Sequence, residues 1–587
     1  MDATVAPARP DADRWTRPDP APWPARLLAA AVALLVTAPA LAPGFVLLRD
    51  MVFVPRQDLD LDALGLGGTL PRAVPVDAVM GLLTAVVPGD LVQKLVLLGI
   101  VYFAVLGAAR LVPAGPDGRR GAAGLVAGLV YGWSPYLAER LLMGHWTLLL
   151  GFAALPWVAR AAFRLRAGEP RALARLVLCA APAALSPTGA LLAAGVVVAV
   201  LRGRRLLLAC AALLLLALPW LVAGLLHPSG GASDPAGVAA FAARAEGWGG
   251  TVLSVLGTGG IWNADAAPAS RSSPAAPLLA LAVGGLAAVG WRVLLRRGAG
   301  RGLLLLGAVG LALACAAAAP AAAGLLELLV REVPGAGLLR DGQKWAAWWA
   351  LALAVGAGAG ARELAHRAGE RGGASAGRAV LAAALLLPVV ALPDLAWGVA
   401  GRLEPVGYPA DWQRVRDLLA ADERPGDVLV LPFGAYRAFG WNDGRTLYDP
   451  ASRWLDRPTV ADDALVVDGR AVPGEDLRAR TAGAAVDDPP RLAALGIGWV
   501  LVEQGTPGPP VPGAIGALPV VHEGPALTLH RVPGAVDGPR PHPVRVTAVT
   551  LAHAGALGIV GGAALWIMAG ASTVTRRRPP LRKRVPG

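Results

Sequence analysis

Long apolar stretches recur along the chain, punctuated by short segments that carry arginines. A helix needs roughly 20 apolar residues to cross ~30 Å of hydrocarbon. Runs at 25–48, 91–112, 122–138, 147–163, 206–226, 278–295, 303–322, 345–361, 379–399 and 544–571 meet or approach that length. The stretch 176–201 lies between two arginine clusters that belong on one side, and it is too short to cross twice as full spans. A hairpin of two short helices, broken at Ser186-Pro187-Thr188-Gly189, reconciles its length with the flanking charges. About twelve transmembrane helices are predicted.

Between 401 and 543 the rhythm changes. Apolar runs shrink to strand length at 427–433, at 499–502 and at 526–532, and they alternate with helical patterns at 410–421 and 490–495. Short β-rich runs alternating with helices predict a small α/β domain. The expected fold class is therefore a polytopic all-α membrane protein with a small extracytoplasmic α/β domain before its last helix. The predicted domains are a cytoplasmic tail at 1–24, a transmembrane domain at 25–400, the α/β domain at 401–543, a final helix at 544–571 and a basic cytoplasmic tail at 572–587. External loops are expected at 49–90, 227–277 and 323–343.

Composition supports this picture: the 587 residues are 55% hydrophobic and only 16% charged, with a mean hydropathy of +0.54. That excludes an ordinary soluble enzyme. The net charge of +13 would fit a nucleic-acid partner only if it formed a patch. It does not. Loops on the arginine-rich side, with the span ends beside them, hold 29 Lys+Arg against 8 Asp+Glu, and the rest holds 25 against 33. This asymmetry is the positive-inside pattern of a plasma-membrane protein with both termini in the cytoplasm, and no nucleic acid is implied. Cys179, Cys210 and Cys315 all lie in apolar spans, so neither a disulfide framework nor a zinc site is expected.

Candidate chemistry gathers on the outer side of this topology. Asp50 follows the first span and stands before Arg56 and Asp58, placing a carboxylate at the water–lipid boundary. A general base needs such a fixed carboxylate, although a solvated residue paired with Arg49 or Arg56 gives the same spacing. Arg340 and Lys344 are four apart and suit an anionic headgroup, or else they snorkel beside Trp345, Trp348 and Trp349. His145 lies in the outer turn Gly144-His145-Trp146, where it either bonds a substrate or caps the turn. In the α/β domain, Trp441, Asn442 and Asp443 offer stacking and hydrogen bonding to glycans, or ordinary loop packing. Asp58-Leu59-Asp60-Leu61-Asp62 fails as a calcium loop, with Ala63 where glycine is required and Thr69 where glutamate is required. No cofactor is indicated, and a divalent metal is left open.

The order of these segments is what resembles a known family. The Asp50 segment, Tyr131-Gly-Trp-Ser-Pro135, Gly144-His145-Trp146, Leu155-Pro156-Trp157, the run Leu339 to Trp345 and the external domain together resemble the GT-C class of integral-membrane glycosyltransferases. The resemblance is strongest to actinobacterial arabinofuranosyltransferase-like and polyprenyl-phosphate-sugar-dependent proteins. It implies transfer of a sugar from a polyprenyl-phosphate donor to an envelope glycan, glycolipid or glycoprotein acceptor on the outer face of the membrane. It implies Asp50 as catalytic base, Arg340 and Lys344 on the donor phosphate, and His145, Arg56 and Asp58 as further substrate contacts. Many such proteins carry an adjacent acidic pair where this chain has the single Asp50. A non-catalytic scaffold or lipid-handling protein of envelope assembly is the alternative, and the oligomeric state is not readable from the sequence.

Overall fold

In the computed structural model, the described residues are 12–17, 23–115, 117–227, 233–296, 300–467, 469–538 and 540–575. Most of the predicted N-terminal tail, and the arginine clusters after 575, lie outside them. Among the described residues, six helices are long and apolar enough to cross a membrane: Gly89–Leu111, Trp146–Ala167, Gly203–Leu225, Ala276–Arg296, Gly342–Ala391 and Pro543–Ala569. A bent pair, Arg301–Ala316 with Pro320–Glu332, makes a seventh if counted as one span. Three shorter apolar helices, Trp23–Thr37, Ala172–Ala184 and Pro187–Val200, and the buried helix Gly121–Gly132 pack among them.

The longest of these elements is two helices in one. Gly372 and Gly373 leave helical geometry, with Gly373 at φ +76°. Beyond them the chain reverses: a methyl on Gly377 would stand 2.8 Å from the carbonyl oxygen of Ala365. Twelve residues of straight helix would separate those positions by about 18 Å. The arginines at 362, 367, 371 and 378 therefore mark a turn between two antiparallel helices.

Ser-Pro dipeptides start two of the helices. Ser134 accepts from the Leu137 amide at 3.4 Å, and Ser186 from the Gly189 amide at 3.1 Å, each with proline at the first helical position. The Ser186 break lets 172–200 fold as two short helices. Both lie against Trp146–Ala167, and the pair enters and leaves at one place, because Arg205 donates to the Arg166 carbonyl. The Ser134 break ends the expected 122–138 span early, at Gly132, and starts a separate buried helix, Pro135–Leu142. Likewise the expected span 303–322 bends by 89° before Pro320, placing helix Pro320–Glu332 where a loop was expected.

Small residues set the closest helix contact. A methyl on Gly290 would overlap the carbonyl of Gly356, and one on Gly360 would overlap that of Leu286, so Ala276–Arg296 and the 346–371 helix pack backbone to backbone.

The domain after residue 401 is a five-stranded mixed sheet. Its strands are β1 (Asp427–Leu431), β2 (Thr459–Val460), β3 (Ile497–Glu503), β4 (Val520–Glu523) and β5 (Leu527–Arg531), in the spatial order β2-β1-β3-β5-β4. The β1 strand is parallel to β2 and β3, and the β3–β5–β4 part is antiparallel. Both central strands are fully buried, as their continuous apolar sequences require, with helix Ala410–Ala421 on one side and Leu477–Gly483 with Pro489–Ala494 on the other. The long insert 435–487 supplies β2 and the short pair Tyr436–Arg437 with Leu447–Tyr448. That pair carries the domain onto the membrane part: the Arg49 amide donates to Thr446 at 2.6 Å, and the Tyr448 amide donates to Arg49 at 2.8 Å.

Candidate functional site

Asp50 stands at the tip of a tight turn. Leu48 and Met51 exchange backbone hydrogen bonds at 2.9 and 3.3 Å, and Arg49 takes φ +48° to close the loop between them. The turn is gripped from two sides. On the helical side, the Asp50 amide donates to Met143 at 3.2 Å, and Gly144 lies flat against the turn at φ +73°. A methyl on Gly144 would overlap Met51 N and Leu48 O, so both backbone angle and space demand glycine. On the domain side, Asn442 donates to the Leu47 carbonyl at 3.2 Å.

The Asp50 carboxylate receives two hydrogen bonds and stays open to solvent. Tyr436 OH donates to Oδ1 at 2.5 Å, His145 Nε2 lies 3.2 Å from Oδ2, and 41% of the side chain remains exposed. Its surroundings are largely protein, and that desolvation alone would raise its pKa. The hydrogen bond from His145, that from the Tyr436 hydroxyl and the Arg453 guanidinium outweigh it and hold Asp50 below the usual carboxylate range. Desolvation, reinforced by the Asp50 charge, pushes the Tyr436 phenol well above its ordinary value, so Tyr436 stays a donor.

Behind His145 runs a buried polar chain. Arg140 donates to His145 Nδ1 at 2.9 Å, and since arginine only donates, Nδ1 must accept and Nε2 carries the hydrogen that faces Asp50. Arg140 is itself fully buried and clamps Asp341 in a bidentate pair at 2.5 and 2.9 Å. Burial works against ionisation of Asp341, but the Arg140 charge and hydrogen bonds prevail and hold its pKa at about 2. Arg140 also donates to Gln343 Oε1 at 3.0 Å, and Gln343 passes a hydrogen bond of 3.1 Å to Glu139 Oε2.

This chain ends in two carboxyl groups. Glu139 and Glu246 share a side-chain hydrogen bond, and Glu246 is clamped by Arg271 at 2.8 and 3.0 Å. If both were ionised, two buried acceptor oxygens would face each other without a donor. One proton between them removes that conflict. Desolvation and the Glu246 charge push Glu139 well above its ordinary value, while Arg271 overcomes burial to keep Glu246 ionised.

The cations expected from the sequence separate. Lys344 lies beside Asp341, is 8% exposed and has no ion pair within 4.0 Å among the described residues. Arg340 turns to the sheet domain and pairs with Glu475 at 2.9 Å. Arg56 is exposed and weakly paired with Asp58 at 3.8 Å, and Asp58 is bound by Arg416 of the domain's first helix. Those two face the domain seam rather than the Asp50 turn. Of the aromatic and polar trio, Asn442 is fully buried, Trp441 stacks on Phe439 with centroids 4.9 Å apart, and Asp443 alone is exposed. Among the described residues no cluster of three His, Cys, Asp or Glu side chains could hold a metal ion.

Sequence reasoning passed over Arg140, Asp341, Gln343 and Arg453 as site members. Glu139-Arg140 inside an apolar run was the available signal, because buried charges persist only when paired. Nothing local to Tyr436 announces a partner 386 positions away.

A bundle of apolar helices joined to a small mixed-sheet domain is a fold similar to that of solved GT-C structures. The chain matches the cryo-EM structure of the mycobacterial arabinofuranosyltransferase AftD with a TM-score of 0.53 and 18% identity over 91% of its own length. A point mutant of that enzyme gives 0.52 and 18% over 89%. The chain spans about two fifths of the length of these structures, 41% and 42%. An oligosaccharyltransferase from Archaeoglobus fulgidus is a remoter likeness, at 0.35 and 11% over 82% of this chain and 68% of that one. No family model and no curated protein matches the sequence.

Proposed function

We propose that the chain is a membrane glycosyltransferase that moves a sugar from a polyprenyl-phosphate donor to a cell-envelope acceptor on the outer face of the plasma membrane, with Asp50 as general base. The observation that carries this is Asp50 itself: a carboxylate kept ionised, oriented by Tyr436 and His145, and still accessible. A base acting on an acceptor hydroxyl needs that combination of charge, fixed aim and access. The likeness in fold to AftD supports the same class of reaction. His145 acts as a positioning residue, its hydrogen held toward Asp50 by Arg140. Lys344 offers the donor phosphate a cation that, among the described residues, no carboxylate pairs within 4.0 Å, and Arg340 reaches the phosphate by releasing Glu475. Asp443 remains available to a glycan, while Trp441 and Asn442 shape the wall behind the Asp50 turn.

The topology proposed has about twelve membrane segments. The antiparallel pair at 346–391, the hairpin at 172–200 and the first helix Trp23–Thr37 add to the long spans in reaching it. Both termini then face the cytoplasm, and the sheet domain lies outside. The test is transfer from a polyprenyl-phosphate-linked sugar by the purified protein. Asp50→Asn should lower kcat by at least a hundredfold with the thermal transition unchanged, whereas Lys344→Gln should chiefly raise KM for the donor. Unchanged transfer by Asp50→Asn would remove Asp50 from the reaction. Absence of any transfer by the wild type, with lipid-linked sugar still bound, would favour a lipid-handling role.

A further inference from the structure

A cavity of about 840 Å³ lies apart from the Asp50 cluster, and none of Asp50, His145, Arg140, Asp341 or Lys344 lines it. It opens where the sheet domain sits on the ends of two spans, Gly203–Leu225 and Pro543–Ala569. The first external loop seals one side: Leu66 packs with Val74, Ala223 and Val549, and the Leu64 carbonyl lies 3.1 Å from His553 Nε2. In the proposed topology, the ends of these two spans put the cavity at headgroup depth.

Its walls are of two kinds. Leu66, Leu226, Leu477 and Val544 give an apolar lining continuous with the exposed faces of the two spans, where Leu225, Val544 and Leu551 are 73%, 66% and 66% exposed. Against this stand Arg478, Arg540 and Arg545, with Asp537 as the one acid in the lining. Two of these guanidinium groups are fixed by one nitrogen and leave another without a partner. Arg545 Nη2 donates to Gly65 and Gly67 at 2.9 and 3.2 Å, while its buried Nε has no acceptor. Arg478 Nη2 is held by Asp427, while its buried Nη1 has none. The anchored nitrogens fix where the guanidinium groups stand, and all three arginines line the cavity. A phosphate oxygen matches both their charge and their fork geometry.

We propose that this cavity binds the phosphate head of a membrane lipid, with the lipid chains lying along the apolar faces of the two spans. The site is additional to any donor site at Asp50. Its occupant is a phosphate ester of a long-chain alcohol or glycerolipid, and the two sources are distinguished by experiment.

The experiment is native mass spectrometry of the full-length protein released from nanodiscs, titrated with phosphatidylglycerol, a long-chain polyprenyl phosphate, uncharged diacylglycerol or inorganic phosphate. One lipid phosphate should be retained per chain, diacylglycerol should not be, and the tighter of the two lipids names the source. Arg545→Gln and Arg478→Gln should each weaken retention about tenfold. Thr481→Trp, which keeps every arginine and fills the cavity with a residue that lines it, should abolish it. Arg540→Gln, at a side chain 83% exposed and paired only with the exposed Asp537, leaves the core untouched and should weaken retention about threefold. Retention unchanged in Thr481→Trp and Arg540→Gln, equal retention of diacylglycerol, or displacement of the lipid by millimolar inorganic phosphate would overturn the proposal.

Discussion

Gly144 couples the helical part to the proposed base through contact alone. Gly144→Ala adds about 1–2 kcal/mol of left-handed strain and drives a methyl into the Leu48–Met51 turn. Sugar transfer should fall at least tenfold while the bundle still folds, which turnover and circular dichroism together would show. The two glutamates behind the site should respond in opposite ways. Glu139→Gln keeps an acceptor for Gln343 and the Ile261 amide and supplies its own donor to Glu246, so thermal stability should change little. Glu246→Gln leaves Arg271 buried without its counter-charge and should cost about 3 kcal/mol. Acid sensitivity follows the same logic. The folded pKa of Asp341, about 2, lies below the ordinary value near 4. Its pair with Arg140 therefore contributes fully above pH ~4 and is lost as pH falls toward 2. Asp50 is depressed as well, so the acid limb of the rate profile should lie below pH ~4; a limb centred near 6 would exclude Asp50 as the titrating base. Asp50 and His145 were legible as site candidates because their residue types are scarce among apolar runs. The bond from Tyr436 to Asp50 and the place of Arg453 beside it were not, because both come from tertiary approach.

At the scale of elements, the sequence was readable where one physical signal dominated. Helix Ala410–Ala421 and strand Asp427–Leu431 are found where periodicity and β-branched content place them. The hairpin at 172–200 followed from charge, since two arginine clusters cannot face opposite sides of the membrane at low cost. Where two signals competed, length misled. The stretch 122–138 reads as one span by hydropathy, yet Ser134-Pro135 caps a new helix and wins, because proline in the first turn costs nothing while proline within a helix interior costs ~3 kcal/mol. Strand Thr459–Val460 has two residues, too few for any period to show, and exists only by pairing with Asp427–Leu431. Ser134→Ala should therefore be a structural change with a remote effect. Losing the cap, worth about 1 kcal/mol, should loosen the helix that carries Glu139 and Arg140 and raise hydrogen exchange there before it lowers global stability.

At the scale of the whole molecule, orientation is the proposal most directly open to measurement. With Cys179, Cys210 and Cys315 replaced by serine or alanine, Asp443→Cys places a thiol at a position 75% exposed on the sheet domain. An impermeant maleimide should label it in intact cells if the domain is extracytoplasmic, and label it only after lysis if the topology is reversed.

The Asp50 turn has one further consequence. Its ligands come from residues 145 and 436, and the backbone clasp around it from residues 143, 446 and 448. During synthesis from the N-terminus, the helices can enter the bilayer long before the Tyr436 segment leaves the ribosome. A half-made chain therefore holds its carboxylate without the phenol that aims it, and competence arrives with the late docking of the final quarter of the polypeptide.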